Sequence, residues 1–226
     1  MKKLLIFALF TGLLYLLVSS FVDLKPSINS DFEIKGIDIS HHNRIDDWEK
    51  INDHSRFCII KATEGTSFKD PRFNLYWSES KQNKITRAAY HFFSPGVSAE
   101  KQFQNFKSRV TLETGDLPPV LDVERKECDM NEVNKWLELA EAHYKVKPIL
   151  YSDYFFFKAL MEGKVDSKYP LWLFVDKRYK VRPSFDNYDC LFWQYSQTGK
   201  VEGVSGHVDL DMFMGDSADF ENLKLR

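Results

Sequence analysis

The sequence predicts a single domain of the α/β class, in which helices cover a largely parallel sheet. Apolar strand-like segments and amphipathic helical segments alternate about five times, and the last third of the chain turns strand-rich. The 226 residues contain no internal repeat, low-complexity tract or second linker, so one domain accounts for the chain. The closed form of such a sheet is a (β/α) barrel, whose chemistry lies at the carboxyl ends of its strands.

Short segments rich in apolar and β-branched residues predict the strands. Their length suits strands rather than helices, and polar or turn-forming residues bound them. They cover residues 34–39, 57–62, 85–93, 119–123, 147–151, 170–175 and 190–195.

Helical patterns separate the first five of these strands. Asp70 can cap a helix with Pro71 at its first position, which is the favoured position for proline. Two further helices show apolar residues at steps of three and four. The last of them follows Asp129 and Glu132, which have the spacing of a capping box. The apolar faces comprise Ala99, Phe103, Phe106 and Val110, and then Val133, Trp136, Leu137, Ala140 and Tyr144.

The N-terminus predicts export. Two lysines precede an almost unbroken apolar run from position 4 to position 22, which is the pattern of a secretory signal. The run is also close to the shortest helix that spans a membrane, so residues 1–22 are either a cleaved signal or a retained anchor. Both alternatives place the remaining chain in the periplasm or outside the cell. Residues 23–33 then form a tether, residues 34–216 the barrel and residues 217–226 a C-terminal tail.

Composition argues against several classes of function. The net charge of −2 includes no basic excess, so electrostatic binding to nucleic acid has no support. The three cysteines lack the spacing of a zinc site. The sequence does not decide whether Cys128 and Cys190 form a disulfide. Aromatic residues make up 15% of the chain, and such side chains form platforms on which sugars stack.

Two acidic residues at the end of one predicted strand point to acid–base chemistry. Asp122 and Glu124 alternate, so both side chains face the same side, with Cα atoms about 6.6 Å apart. Like charges in a partly desolvated site raise one pKa, which leaves a protonated acid beside an ionised carboxylate. Cleavage of a glycosidic bond requires such a pair. A solvated strand end is the alternative interpretation.

Further candidates occupy other strand ends. Asp38 interrupts an apolar strand, so it is either functional or a buried, hydrogen-bonded structural residue. Asp209 and Asp211 share one strand face, so one can be catalytic while the other forms an ion pair. Histidines near the strand ends raise a metal site as an alternative, but no short pair of ligands such as H-E-x-x-H is present, and we predict no metal.

Aromatic residues near the strand ends are candidate walls of a cleft. Each can equally be a core residue, and His91 can be either a donor to substrate or a packed core histidine. The aromatic candidates are Tyr90, Tyr151, Trp193 and Tyr195.

Seven motifs occur in an order that resembles glycoside hydrolase family twenty-five, the Chalaropsis-type lysozymes. The resemblance covers about residues 34–215, and seven ordered motifs over that length are more specific than any one of them. They read GIDIS at 36–40, IKATEG at 60–65, AYHF at 89–92, PVLDVE at 119–124, PLW at 170–172, WQY at 193–195 and VDL at 208–210.

The resemblance implies a flattened, TIM-like (β/α)5(β)3 barrel and a particular enzyme activity. The activity is that of an N-acetylmuramidase, which hydrolyses the β-1,4 bond between N-acetylmuramic acid and N-acetylglucosamine in peptidoglycan without metal or cofactor. Glu124 is then the general acid, and Asp122 stabilises the oxocarbenium-like state or orients the N-acetyl group. Asp38 and Asp209 fill the other acidic positions of the cleft. The implied substrate-binding residues are Tyr90, His91, Tyr151, Trp193, Gln194 and Glu64.

The nucleophile and the cleft wall are less closely specified. We favour the substrate's own acetamido oxygen as the nucleophile, because Asp122 and Glu124 emerge from one strand and can lie on one side of the sugar. The sequence after PLW, LFVDKRY at 173–179, departs from the family pattern, and His42 stands where an aromatic residue is common. The alternative functions are a glycan-binding module and a hydrolase of another N-acetylglucosamine polymer. We expect a monomer that acts on peptidoglycan strands.

Overall fold

Eleven strands, six α-helices and two short helical turns make up residues 34–226, the part of the chain that our computed structural model describes. The predicted signal or anchor and the tether lie outside the described residues. The strands are β1 (Lys35–Ile39), β2 (Arg44–Ile45), β3 (Phe57–Glu64), β4 (Phe68–Lys69), β5 (Thr86–Phe92), β6 (Val120–Asp122), β7 (Ile149–Asp153), β8 (Leu171–Phe174), β9 (Cys190–Gly199), β10 (Val204–Ser205) and β11 (Val208–Phe213).

Five helices follow barrel strands and a sixth ends the chain. α5 continues into a π-helical turn at Phe157–Met161, and a 3-10 turn at Lys177–Tyr179 follows β8. The helices are α1 (Trp48–His54), α2 (Phe73–Gln82), α3 (Ala99–Lys107), α4 (Met130–Tyr144), α5 (Tyr154–Phe156) and α6 (Ser217–Leu223).

Eight of the strands close into a barrel. From β1 the order runs through β3, β5, β6, β7, β8 and β9, each parallel to its neighbour. β11 is antiparallel to both β9 and β1 and closes the ring between them. Five strand–helix units followed by three strands confirm the predicted (β/α)5(β)3 barrel. Because most strands are parallel, their carboxyl ends open on one rim.

Strand alternation divides the core into two layers. Side chains such as Cys58 and Ile60 of β3 pack outward beneath the helices, whereas Phe57 and Ile59 pack in the barrel interior. At the end opposite the strand carboxyl termini, Phe220 of α6 covers the interior, with its ring 5.9 Å from that of Phe57. Residues 217–226 therefore include a packed helix and are not simply a tail. An apolar barrel end needs such a cover because water would otherwise reach it.

Two predicted helix starts differ from the structure because their acids serve tertiary contacts. α2 begins at Phe73, and Asp70 instead accepts hydrogen bonds from the backbone and ring of His41. Asp129 caps α4 as predicted, but Glu132 does not complete a capping box. Its carboxylate accepts the backbone N–H of Ala99 at 2.6 Å, which joins α4 to the start of α3.

The three cysteines, all within the described residues, are free thiols. The disulfide that the sequence left open between Cys128 and Cys190 is therefore absent. Cys58 is fully buried in β3, where it packs as a small hydrophobic residue.

We expect Asp116→Ala to lower the free energy of unfolding by about 3–5 kcal/mol, because it strands a buried charge. Arg87 of β5 is 3% exposed, and its Nε donates to Asp116 Oδ1 at 2.7 Å. Its guanidinium also lies 4.0 Å from the ring of Trp77. Urea denaturation measures the loss. Glu113→Ala is the matched control, because this half-exposed residue contacts the same arginine and its removal should cost below about 1 kcal/mol. Equal losses would refute the buried-charge argument.

Candidate active site

Four carboxyl groups meet at the rim formed by the carboxyl ends of the strands. Asp38 of β1 lies opposite Asp209 in the antiparallel register with β11. Asp122 ends β6, and Glu124 follows it by two residues. The groups interact electrostatically, because the charge on Glu124 contributes to the raised pKa values of Asp38, Asp122 and Asp209. The structure therefore brings together the four acids that the sequence places on three different strands.

A buried amide bridges two of these acids. Gln194 of β9 is 2% exposed, and its Nε2 donates to Asp38 Oδ2 at 2.6 Å and to Asp209 Oδ2 at 3.2 Å. Its Oε1 accepts the hydroxyl of Tyr151 at 2.6 Å. The side chain of Gln194 thus orients two carboxyl groups, on β1 and β11, and a tyrosine on β7.

Asp122 offers an unused acceptor. The side chain is 6% exposed, and its Oδ1 has no hydrogen-bond partner within residues 34–226. Burial raises its pKa well above the usual range, and the nearby carboxylates of Glu124 and Asp38 raise it further. Leaving a buried acceptor unpaired costs free energy, so this oxygen is suited to a donor that arrives with a ligand.

Glu124 lies at the mouth of the cleft. Its side chain is exposed at one edge, but the cleft walls remove enough hydration to raise its pKa. The charge on Lys61 opposes that rise. A carboxyl group in this setting can retain a proton and still reach a substrate.

Lys61 is a site residue that sequence reasoning missed. It is 9% exposed, and its Nζ forms an ion pair with Glu64 Oε2 at 2.7 Å. It also lies 4.9 Å from the ring centre of Phe92. A lone lysine inside the apolar strand at 57–62 was the available signal, because a charge in such a strand needs a partner. Glu64 neutralises this lysine at the edge of the acidic cluster.

Asp211 lies below the cleft and interacts electrostatically with Asp38. It is fully buried, and its Oδ1 accepts the indole N–H of Trp172 at 2.9 Å. Its Oδ2 has no hydrogen-bond partner within residues 34–226. Burial raises the pKa of Asp211 well above the usual range, and the charges on Asp38 and Asp209 raise it further. Its role differs from the predicted ion pair.

Residues 37–204 match the family described as Glycosyl hydrolases family 25, which is more than half of the chain. The chain belongs to this family. It is therefore a glycoside hydrolase, and the acidic cluster occupies the rim where a (β/α) barrel places its chemistry.

Named relatives and solved structures agree with this membership. The chain is 39% identical over 199 residues to the uncharacterized protein YegX of Escherichia coli (strain K12), which covers 83% of this chain and 72% of that protein. It is 30% identical over 205 residues to Lysozyme M1 of Streptomyces globisporus, covering 82% and 69%. The structure superposes on a family 25 glycosyl hydrolase from Bacillus anthracis with a TM-score of 0.78 at 29% identity, covering 89% of this chain and all of that one.

Two tyrosines of this family 25 enzyme line the cleft. Tyr90 of β5 and Tyr151 of β7 are both adjacent to the acids, whose charges together with burial raise the pKa values of both hydroxyls. Tyr151 also packs on Trp172, with ring centres 4.3 Å apart. Tyr195 points away from the interior that Gln194 faces, because neighbouring residues of a strand alternate.

The structure does not place His91 in the cleft. Its ring is fully buried on the outer face of β5, where it stacks on Trp136 with centres 5.6 Å apart. Its two nitrogens contact Thr63 Oγ1 at 2.7 Å and Gln102 Oε1 at 3.2 Å. Burial lowers its pKa to about 3, so the ring is neutral. His91 is the packed core histidine of the two alternatives, since it follows Tyr90 and must face the opposite side of the strand.

Trp193 is also misassigned as a cleft residue. It is 1% exposed, and its indole N–H donates to the backbone oxygen of Val175 at 2.7 Å. The same alternation explains the error, because Gln194 takes the inward position. Trp193 thus secures the end of β8 to β9.

We expect the enzyme to be more stable to heat at pH 5 than at pH 7.5. Burial and the charge on Glu124 raise the pKa of Asp209 to about 6, and the other cleft acids shift in the same direction. The folded state therefore binds more protons than the unfolded chain between about pH 4 and pH 6, and stability is lost as pH rises through that window. Differential scanning calorimetry measures the melting temperature. Asp209→Asn should flatten the slope, whereas Asp186→Asn, at an exposed position, should leave it unchanged. A melting temperature that rises with pH would contradict this assignment.

Proposed function

We propose that this family 25 enzyme is an N-acetylmuramidase that cleaves the β-1,4 bond after N-acetylmuramic acid in peptidoglycan. One observation carries the proposal: the unpaired acceptor of Asp122 lies two residues from a carboxyl group, Glu124, that can hold a proton. Two relatives support the choice of bond: Lysozyme M1 from Streptomyces globisporus and the N,O-diacetylmuramidase from Arthroderma benhamiae.

Glu124 is the proposed general acid. A raised pKa keeps its proton available, and its exposed edge lets that proton reach the oxygen of the leaving sugar. As the glycosidic bond breaks, the proton moves to the leaving oxygen and Glu124 becomes a carboxylate. The same carboxylate then accepts a proton from the attacking water, which returns the enzyme to its starting state.

Asp122 is the proposed partner of the substrate's N-acetyl group. Its unpaired Oδ1 can accept the acetamido N–H, and this donated hydrogen bond favours the ionised carboxylate. The negative charge then stabilises the positive charge that develops on the sugar. The acetamido oxygen is then oriented for attack on the anomeric carbon. Asp38 and Asp209, both hydrogen-bonded to Gln194, complete the acidic lining of the cleft from the paired strands β1 and β11.

Product analysis tests the proposal. Purified peptidoglycan is digested with the enzyme, the products are reduced with borohydride, and the new ends are identified by mass spectrometry. We expect reduced muramic acid ends. Reduced glucosamine ends would reassign the bond, and faster cleavage of chitin oligomers would reassign the substrate. Retained glycan binding without any new ends would support a binding module instead.

We also propose that residues 1–22 export the enzyme and that it works as a monomer. No helix within residues 34–226 is long and apolar enough to cross a membrane. The cell-wall substrate requires export, and N-terminal sequencing of the native protein separates a cleaved signal from a retained anchor. Light scattering measures the mass in solution, and a dimer mass would contradict the monomer.

A further inference from the structure

Two adjoining aromatic side chains are exposed at the rim that carries the acids. Phe155 follows β7 and is 51% exposed, and Tyr179 lies in the 3-10 turn after β8 and is 66% exposed. Their ring centres are 6.0 Å apart, and the rings meet edge to face at 79°. Single exposed apolar residues are ordinary on a protein surface, but contiguous ones indicate a binding surface.

The backbone around both rings is held by capping aspartates. Asp153 ends β7, and its Oδ1 accepts a backbone N–H of α5 at 2.8 Å, which fixes the helix that carries Phe155. Asp176 follows β8, and its Oδ1 accepts a backbone N–H of the 3-10 turn that carries Tyr179, also at 2.8 Å. β7 and β8 are paired in parallel, so the two loops emerge side by side. A surface that is already formed costs little ordering when a ligand binds.

The aromatic pair continues the cleft along β7. Tyr151 of this strand donates its hydroxyl to Gln194 inside the cleft at 2.6 Å. Strand alternation places Asp153 on the same side as Tyr151, and the charge on Asp153 contributes to the raised pKa of Glu124. Phe155 comes two residues after Asp153. A polymer bound across the acids can therefore run on to the two rings.

A fixed guanidinium group lies next to the rings in the chain. The side chain of Arg178, the neighbour of Tyr179, is 82% exposed. Its Nε and Nη2 donate to the carboxylate of Asp176 at 2.9 and 2.8 Å, which holds the group in place and leaves Nη1 free to donate. A pyranose has a face of C–H groups and an edge of hydroxyls, so it is bound by an aromatic ring together with polar groups beside it.

We infer that Phe155 and Tyr179 form an additional sugar-binding subsite, which stacks on a pyranose of the glycan strand beyond the sugars at the cleaved bond. The inference rests on the proposed glycan substrate and adds a second point of contact with it. Arg178 donates to hydroxyls of the same sugar. Because one strand has to reach both the acids and the rings, the subsite strengthens the binding of long strands and not of short fragments.

The dependence of binding on strand length tests the subsite. Glycan strands are freed of peptides with an amidase, separated by length and titrated into the full chain by calorimetry. Glu124→Gln is present throughout to prevent cleavage. We expect the double substitution Phe155→Ala and Tyr179→Ala to weaken the binding of long strands about tenfold, which is the upper end of what an aromatic contact contributes. Binding of the disaccharide should stay within about twofold.

Three single substitutions identify stacking as the cause. Tyr179→Phe keeps the ring, so it should bind long strands as the parent does. Tyr179→Leu keeps an apolar side chain but has no flat face, so it should weaken their binding. Leu75→Ala is the matched control, because Leu75 on α2 is 54% exposed and its loss removes exposed apolar surface from a covering helix. Its affinity should not change at any strand length.

Several results would overturn the subsite. Equal weakening for the disaccharide and for long strands would place the rings in the cleft itself, and unchanged binding at every length would remove them from glycan recognition. Full affinity in Tyr179→Leu would replace stacking by a general apolar contact, such as one to a protein. Circular dichroism confirms folding, and Phe155→Ala alone, with an expected loss of about threefold, replaces the double variant if that variant does not fold.

Failure of the proposed function gives a different result. If the parent enzyme binds long strands through Phe155 and Tyr179 but product analysis finds no new reducing ends, the subsite stands and the muramidase activity does not. If the parent enzyme cuts the strands and the double variant binds them as tightly as the parent, the activity stands and the subsite does not.

Discussion

Glu124→Gln lowers kcat on peptidoglycan by a factor of about 10² to 10⁴, which is the usual contribution of a general acid. The amide has nearly the shape of the protonated carboxyl group, but it has no acidic proton to give to the leaving sugar. Binding of glycan should remain, because the other cleft acids and Tyr90 are untouched. Reducing-end release measures turnover, and a pull-down with insoluble peptidoglycan measures binding.

The matched control for this substitution is Glu127→Gln, which changes an exposed glutamate three residues further along the same loop. Its kcat should stay within about twofold of the parent enzyme, since surface substitutions have small effects. A parallel loss of turnover and binding in Glu124→Gln would show that Glu124 binds substrate instead of donating a proton. Retention of most of the turnover would move the acid role to another carboxyl.

Asp122→Asn is expected to reduce kcat by about 10² to 10³, which is typical for loss of one electrostatic contact to a transition state. The side chain is buried, and the amide retains its volume, so folding should be preserved. The loss follows because the neutral amide no longer offers a negative charge to the acetamido N–H. Single-turnover kinetics on purified peptidoglycan fragments measure the chemical step.

The role of Asp122 is tested by removing its proposed partner on the substrate. With chemically N-deacetylated glycan, the parent enzyme should be slow, and Asp122→Asn should cost little more. A full further loss on that substrate would indicate that Asp122 acts on another group, for instance as a nucleophile. A covalent glycosyl–enzyme adduct trapped on Asp122 would establish that alternative directly. Asp186→Asn, at an exposed aspartate, controls for the change of charge.

Local patterns were sufficient for the architecture. The alternation of apolar segments with helical faces predicts a parallel sheet covered by helices, because each apolar face has to be buried against the next element. The resemblance to glycoside hydrolase family twenty-five implies the closed barrel. Strand periodicity alone also predicts that the side chains of Asp122 and Glu124 face the same side of their strand. The strand-end rule then adds Asp38, since parallel strands end on one rim. Asp209 reaches the same rim from the start of β11, because that strand is antiparallel.

Only the closed barrel shows which side of a strand faces the cleft. His91 and Trp193 stand in the same motifs as Tyr90 and Gln194, but they face the helices, because only one of two neighbouring strand residues can look into the barrel. Periodicity shows that neighbours face opposite sides. It does not show which side is the cleft.

Local sequence patterns did not predict the contacts between distant parts of the chain. Asp70 fits a helix cap in the sequence, yet it binds His41, 29 positions away, and the chain end at 217–226 folds into α6 beneath the barrel. The bond from Gln194 to Asp38 spans 156 positions. Motif and periodicity therefore supplied the alternation of strands and helices and the acidic residues. The closed barrel supplied the partner of each polar group, because burial leaves every donor and acceptor only the partners that the fold brings near.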